Sequence, residues 1–397
     1  MKADKKLAKR IIFLCSLIYM ISYITRSNYS AVIAEMVTST GFTKSALSVA
    51  LTSSFITYGA GQLISGWFGD QVQPRTLIAL GLGATSCMNL LIPLCSTPGQ
   101  MAVVWCLNGL AQAFMWPPIV KIMYVTLTAE DYSLGMVRVS WGSSIGTIAV
   151  YLLAPLMILT LGWTQVFTFS AVFGILGIAA WLPLCPKIEL APDQKKTGGK
   201  VTGFRQVLPA LILVMLCIMM QGILRDGVTT WMPSYIAETF HLSNEISILA
   251  GVILPIFTIV CYSLANFFYL KIRNPVICAV WIFGAATASS ALLYLFCGGS
   301  PILSVALSAV ITGCMHGVNL MLNGISPRFF AKDGNVSFYS GLLNSCTYVG
   351  SAISAWVIPL ASENAGWNAA IGLWAIVAGA GLILASICIF PFKKLTK

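Results

Sequence analysis

Long apolar runs follow one another along the chain, separated by short polar breaks. Twelve can be read, near residues 11–34, 45–68, 76–95, 100–125, 135–159 and 165–184, and then near 206–232, 246–269, 275–297, 301–323, 338–361 and 368–390. A bilayer-spanning helix needs about 20 apolar residues, so each run predicts one transmembrane helix. The longest polar interruption, Pro186 to Phe204, carries Lys187, Lys195, Lys196, Lys200 and the pair Gly198-Gly199. It divides the pattern six to six and reads as a flexible cytoplasmic linker. The expected fold is an all-α membrane protein of twelve transmembrane helices, with a six-helix half over 1–185, the linker over 186–204 and a second six-helix half over 205–397.

The halves repeat. Gly109 and Gly313, Gly146 and Gly350, Pro155 and Pro359, Gly162 and Gly366, and Trp163 and Trp367 are each separated by 204 residues. One such pair carries little; five at one offset argue for duplication. Six spans per half give both halves the same topology, with the pseudo-symmetry axis along the membrane normal.

Composition closes off the soluble classes. The 397 residues are 58% hydrophobic and 9% charged, against about 25% charged in soluble domains. The net charge of +11 comes from 23 Lys and Arg against 12 Asp and Glu. A nucleic-acid footprint would gather these cations on one solvated face, and here they fall in alternate loops instead. With the N-terminus inside, Lys5, Lys6, Lys9, Arg10, Arg75, the linker lysines, Lys271, Arg273, Arg328, Lys332, Lys393, Lys394 and Lys397 all lie on the inner side. The outer loops keep Lys44 and the acids Glu35, Glu238, Glu245 and Glu363. The positive-inside rule then predicts a multi-pass protein of the cell membrane with both termini cytoplasmic. The basic start imitates a signal peptide, but the apolar run continues past Ile24 without a small-residue cleavage site and reads as a retained first span.

The twelve cysteines form no C-x-x-C pair and read as core-filling residues, not as a disulfide or metal framework. No G-x-x-x-x-G-K-[ST] phosphate loop is present, and no nucleophile, base or metal cluster converges at one depth. Neither an enzyme, a metal nor a cofactor is expected.

The few charges left inside the spans carry the functional reading. An arginine at mid-bilayer costs roughly 2.5–3.5 kcal/mol, so it persists where it meets water, a partner or a substrate. Arg26 in the first span and Arg225 in the seventh both lie about 22–27 Å from the inner ends, at 1.5 Å per residue. They are candidates for two jaws of one anion site, because a guanidinium grips phosphate or carboxylate bidentately and keeps its charge. The competing reading makes them members of buried ion pairs, with Asp226 an obvious acid. Neighbouring helical residues point about 100° apart, so Asp226 need not neutralise its own neighbour Arg225. It stands open between a structural pair and a proton or salt-bridge switch. Tyr19, Tyr23 and Arg26 share one helical face, and the tyrosines read as substrate-facing. His316 corresponds by the 204 offset to Gln112, and both are candidate substrate contacts; His316 is also a candidate for proton coupling or for a plain hydrogen bond to a neighbour.

Three segments together resemble the organophosphate:phosphate antiporter family of the major facilitator superfamily. They are Tyr19-x-x-x-Tyr23-x-x-Arg26 followed by Asn28, Asn108-Gly109-x-x-Gln112-x-x-x-Trp116-Pro117-Pro118, and Leu224-Arg225-x-Gly227 with Trp231 and Pro233 beyond. The resemblance implies alternating access around a small phosphorylated anion exchanged for inorganic phosphate, by a protein acting as a monomer in the bilayer. Gly66-x-x-x-Asp70-x-x-x-x-Arg75 resembles a superfamily gating motif, in which acid and base meet helix ends on the inner face. In the family's glycerol-3-phosphate transporters a lysine follows the first arginine, where Ser27 stands here. A second site lysine corresponds to Gln62, and a histidine to Ser143. These departures thin the positive charge and keep open a proton-coupled carboxylate or sugar-acid symporter. A transporter-like sensor of a phosphorylated sugar is the other alternative.

Overall fold

The computed structural model describes residues 4–186, 204–242, 253–331 and 335–396. Most of the predicted linker (187–203) and the start of the eighth predicted span (246–252) lie outside the described residues. The helices are α1 (Lys5–Thr40), α2 (Lys44–Gln71), α3 (Pro74–Leu91), α4 (Pro98–Gln112), α5 (Trp116–Thr126), α6 (Ala129–Leu161) and α7 (Trp163–Leu184). They continue as α8 (Phe204–Phe240), α9 (Ile253–Ile272), α10 (Pro275–Leu295), α11 (Pro301–Asn319), α12 (Pro327–Phe330) and α13 (Val336–Thr396).

Local chemistry sets the boundaries. Asp4 caps α1 through the Leu7 N–H at 2.7 Å, and Gly41 closes the helix at φ 73°. Thr43, Thr97, Thr128, Asn274 and Ser300 each accept a hydrogen bond at the start of the helix they precede, satisfying N–H groups that have no partner within the helix.

Among the described residues, ten helical stretches are long and apolar enough to cross a membrane. The other two predicted spans, 45–68 and 338–361, are helical too, as α2 and the first part of α13. Both are rich in Ser, Thr and Gly, which lowers their hydropathy. Large apolar side chains such as Leu80, Leu152, Leu159, Trp281, Ile302 and Phe390 are exposed, as lipid-facing positions are.

The chain separates into two compact units, Met1–Lys200 with Gly334–Leu342, and Val201–Asp333 with Leu343–Lys397. In the first unit α1 packs along α6, α2 along α4 and α3 along α7. Small residues permit these approaches. A Cβ on Gly142 would stand 2.5 Å from the Ser16 carbonyl oxygen, one on Gly146 2.5 Å from that of Met20, and one on Gly61 2.7 Å from Ala113 Cβ. In the second unit α11 packs on α8, α9 and α10. Gly222 and Gly350 bring α8 against α13, so that a Cβ on either would collide with the carbonyl oxygen of Thr347 or Met219.

The 204-residue repeat is visible in the backbone. Gly162 separates α6 from α7 at φ 85°, ψ 162°, and Gly366 breaks α13 at φ 76°, ψ 173°, a region essentially confined to glycine. The fourth span of each half is also interrupted at one repeat position. In the first, α5 restarts at Trp116; in the second, a π-turn opens at Leu320 and runs to Ile325. Pro117 has no N–H to give the Ala113 carbonyl four residues back, and Gln62 Nε2 donates to that carbonyl at 3.3 Å instead. A freed backbone group inside a membrane is thereby satisfied by a neighbouring helix.

Cys185, just past α7, is buried, and burial pushes its thiol up to about 12 against the pull of Arg75 and Arg10. It is an inert packing residue at neutral pH, as the sequence suggests for the cysteines.

Candidate functional site

The first helix of each unit carries its arginine at one structural position. Gly146 of α6 rests on Met20, and its repeat partner Gly350 rests on Met219. Arg26 and Arg225 each stand six residues beyond those methionines. The two helices are thus offset by 199 residues, not 204, which is why the glycine repeat alone does not align the arginines.

In the first unit the half-buried Arg26 guanidinium lies over the ring of Tyr58, 4.5 Å from its centroid, and 5.0 Å from that of Tyr23. Aromatic faces attract a desolvated cation while leaving its donor edge to an anion. Tyr19 stacks on Tyr23 at 5.1 Å and on Trp116 at 5.3 Å, so the predicted Tyr19, Tyr23 and Arg26 face is a continuous aromatic wall. Tyr58 is the member that sequence reasoning missed; its spacing of four from Gln62 is the available signal.

Beside that face α1 holds a buried polar network. Asn28 Nδ2 donates to Asn89 Oδ1 at 2.6 Å, and Asn89 Nδ2 donates to the Thr25 and Thr85 carbonyls at 2.9 Å each. Thr85 Oγ1 donates to Asn108 Oδ1 at 2.9 Å. Gln112 Nε2 donates to the Ser22 carbonyl at 3.0 Å and to Thr25 Oγ1 at 2.9 Å, while its Oε1 accepts from Ser22 Oγ at 2.9 Å. Gln112 thus clamps α1 next to Arg26. Gln62 is fully buried with its Nε2 on the broken fourth span. Ser143 is buried as well, and its hydroxyl donates to the Ser140 carbonyl at 2.7 Å.

In the second unit Arg225 and Asp226 form an ion pair, Nε to Oδ1 at 2.7 Å and Nη2 to Oδ2 at 2.8 Å. The structural pair left open for Asp226 is thus formed with its own neighbour: the long arginine stem folds back across one helical step and presents its side edge to the carboxylate. Ser351 of α13 also donates to Asp226 Oδ2, and the Tyr348 ring lies 6.0 Å from the guanidinium. Tyr348 and Ser351, three apart on one helical face, were not singled out from sequence. His316 Nδ1 meets Tyr262 OH at 2.9 Å, a neighbour bond in place of Gln112's clamp on the first helix.

At the C-terminal end of α2, Asp70 accepts from Lys121 Nζ at 2.9 Å and from the N–H groups of Ser337 and Phe338 at 3.2 and 2.8 Å. It thus caps the first turn of α13. A Cβ on Gly66 would lie 2.8 Å from the Ser337 carbonyl oxygen, so the glycine permits this approach. Arg75 donates through Nη2 to the Leu182 carbonyl and accepts at its own carbonyl from Trp181 Nε1 at 3.0 Å. Acid sits at a helix N-terminus and base at a helix C-terminus, the arrangement that helix dipoles favour.

A "Probable hexose phosphate transport protein" of Chlamydia trachomatis is 32% identical over a stretch covering 29% of this chain and 25% of that one, so this match spans only about a quarter of the relative. "Membrane sensor protein UhpC" of Salmonella typhimurium is 21% identical over 94% of this chain and 89% of its own. The glycerol-3-phosphate transporter of Bacillus subtilis is 24% identical over 87% and 84%. Among solved structures, the proton:xylose symporter XylE superposes with a TM-score of 0.78 at 13% identity, over 98% of this chain and 96% of that one, a likeness of fold. The Major Facilitator Superfamily model matches residues 15–329, and the chain belongs to the major facilitator superfamily.

Proposed function

We propose that this protein is a secondary active transporter of a small phosphorylated metabolite, exchanged for inorganic phosphate by alternating access, with Arg26 and Arg225 as the anion-binding residues. The observation that carries this is the placement of one arginine at the equivalent position of each unit, deep in a membrane-spanning helix. Placing two guanidiniums there is costly unless an anion or its substitute receives their donors. The named relatives, a hexose phosphate transport protein and a glycerol-3-phosphate transporter, support the phosphorylated substrate. Tyr19 and Tyr23 line the approach to Arg26, and Gly66, Asp70 and Arg75 hold the inner ends of helices in one state of the cycle. Gln62, Gln112 and Ser143 support the backbone around the arginines, and His316 acts through Tyr262.

A second reading, a sensor of a phosphorylated sugar, draws support from the long alignment with a membrane sensor protein. Reconstitution separates the two. Phosphate-loaded proteoliposomes of a transporter accumulate labelled glycerol 3-phosphate or hexose 6-phosphate by counterflow, whereas a sensor binds without flux. In thermal melts a ligand at a hundred times its Kd stabilises the bound state by about 2.7 kcal/mol. Stabilisation by sugar acids alone would favour the carboxylate symporter, and stabilisation by uncharged sugars alone would remove every anion reading.

A further inference from the structure

On the N-terminal side of Arg225 the second unit gathers amide side chains whose bonding capacity its own helices do not fill. Gln221 stands four residues before Arg225, on the same face of α8. It is fully buried, and neither its Oε1 nor its Nε2 has a partner among the described residues. Asn319 ends α11, and Asn323 follows within the π-turn Leu320–Ile325, a widening frequent at functional sites. Asn323 Nδ2 donates to Asn344 Oδ1 of α13 at 2.7 Å and to Asn319 Oδ1 at 3.2 Å, which uses both of its hydrogens. Its own Oδ1, on a residue 1% exposed, has no partner among the described residues. An amide carries its oxygen and its nitrogen on opposite edges, so holding the two oxygens turns the Nδ2 groups of Asn319 and Asn344 away from Asn323. Neither group donates to a described residue, and both residues keep some exposure, Asn344 7% and Asn319 more.

Helical register brings this cluster to the anion site. Asn344, Tyr348 and Ser351 share one face of α13 at i, i+4 and i+7; Tyr348 lies beside the Arg225 guanidinium and Ser351 donates to Asp226. Asn344 is four residues, about 6 Å of helix, from Tyr348. We propose that Asn319 and Asn344, positioned by Asn323, form a hydroxyl-recognition subsite beside Arg225, which selects a polyhydroxylated phosphate ester, such as a sugar phosphate, over an alkyl phosphate. The inference rests on the anion-binding role given to Arg225 above and names what the rest of that ligand carries. An amide and a hydroxyl each donate and accept without charge, so the cluster matches the hydroxyls of such a ligand. Gln221 adds a further unfilled donor and acceptor one turn from Arg225. A site built to hydrogen-bond hydroxyls rejects the analogue lacking them, because its buried polar groups then stay unpaired.

The test measures binding of glucose 6-phosphate and n-hexyl phosphate to the purified full chain; the two share a phosphate on six carbons and differ in their hydroxyls. The wild type is expected to bind glucose 6-phosphate at least about tenfold more tightly. Asn344→Ala and Asn323→Ala are each expected to lose most of that preference, the second through the two amides that Asn323 holds. A wild type that binds hexyl phosphate as tightly as the sugar phosphate overturns the proposal, and this result needs no variant to fold. So does an Asn344→Ala protein that weakens both ligands by one factor with the preference intact, which is what amides serving only to join α11 to α13 would give. Failure of the underlying reading looks different: neither phosphate ester would bind the wild type, or Arg225→Ala would bind both as the wild type does.

Discussion

Asp70 and Lys121 illustrate how a single contact here is both fold and function. Their side chains are 9% and 1% exposed, and the carboxylate also caps α13. Removing one partner leaves an uncompensated buried charge, a loss of about 3–5 kcal/mol, while replacing both by apolar residues is far milder. Asp70→Leu is therefore expected to lower the melting temperature of the purified protein sharply, and Asp70→Leu with Lys121→Met to recover much of the loss. Equal damage from the single and double variants would deny the coupling. Asn89 makes a second residue-scale case, because its Nδ2 bonds the carbonyl of Thr25, the residue before Arg26. Asn89→Leu leaves Asn28 and that carbonyl without this partner, at about 1–3 kcal/mol for each unsatisfied group. Substrate affinity should fall with stability, and an unchanged affinity would sever Asn89 from the site.

At the scale of elements, close approach of helices depends on glycines at carbonyl contacts. Gly146→Leu would drive a side chain into the Met20 carbonyl, displacing α1 from α6; the expected result is poor yield of folded protein, read as loss of a monodisperse peak in size-exclusion chromatography. Gly162→Ala would instead strain a single turn at φ 85° and cost about 1–3 kcal/mol, read as a modest fall in melting temperature. Much of this architecture was legible in the sequence, because spans are long apolar runs and the repeat rests on glycine, proline and tryptophan at one offset. The break at Trp116-Pro117-Pro118 was visible as a motif, but not that Gln62 would mend it. That depends on which helix lies alongside, and a residue's own neighbours along the chain do not reveal it. The same limit explains the site. Arg26 and Arg225 stood out because charge is rare in a span, whereas Tyr58, Tyr348 and Ser351 are ordinary residues given meaning by packing. Asp226 stood out for the same reason, but its partner did not, because the pairing depends on side-chain reach as well as on the helical angle between neighbours.

On the scale of the whole molecule, the two units repeat a plan and differ in its chemistry. Each carries an arginine at the same position of its first helix, but one guanidinium lies over tyrosine rings and the other is tied to a carboxylate. A duplicated scaffold has thus kept its cations and changed their surroundings. The central claim is that both arginines bind the transported anion. Counterflow of labelled glycerol 3-phosphate or hexose 6-phosphate into phosphate-loaded proteoliposomes tests it, comparing the wild type with Arg26→Ala, Arg225→Ala and the two lysine variants. Losing a bidentate, charge-assisted contact should cut uptake at low substrate by at least about a hundredfold in each alanine variant, with partial rescue by lysine. Uptake near the wild-type level in either alanine variant would contradict the claim.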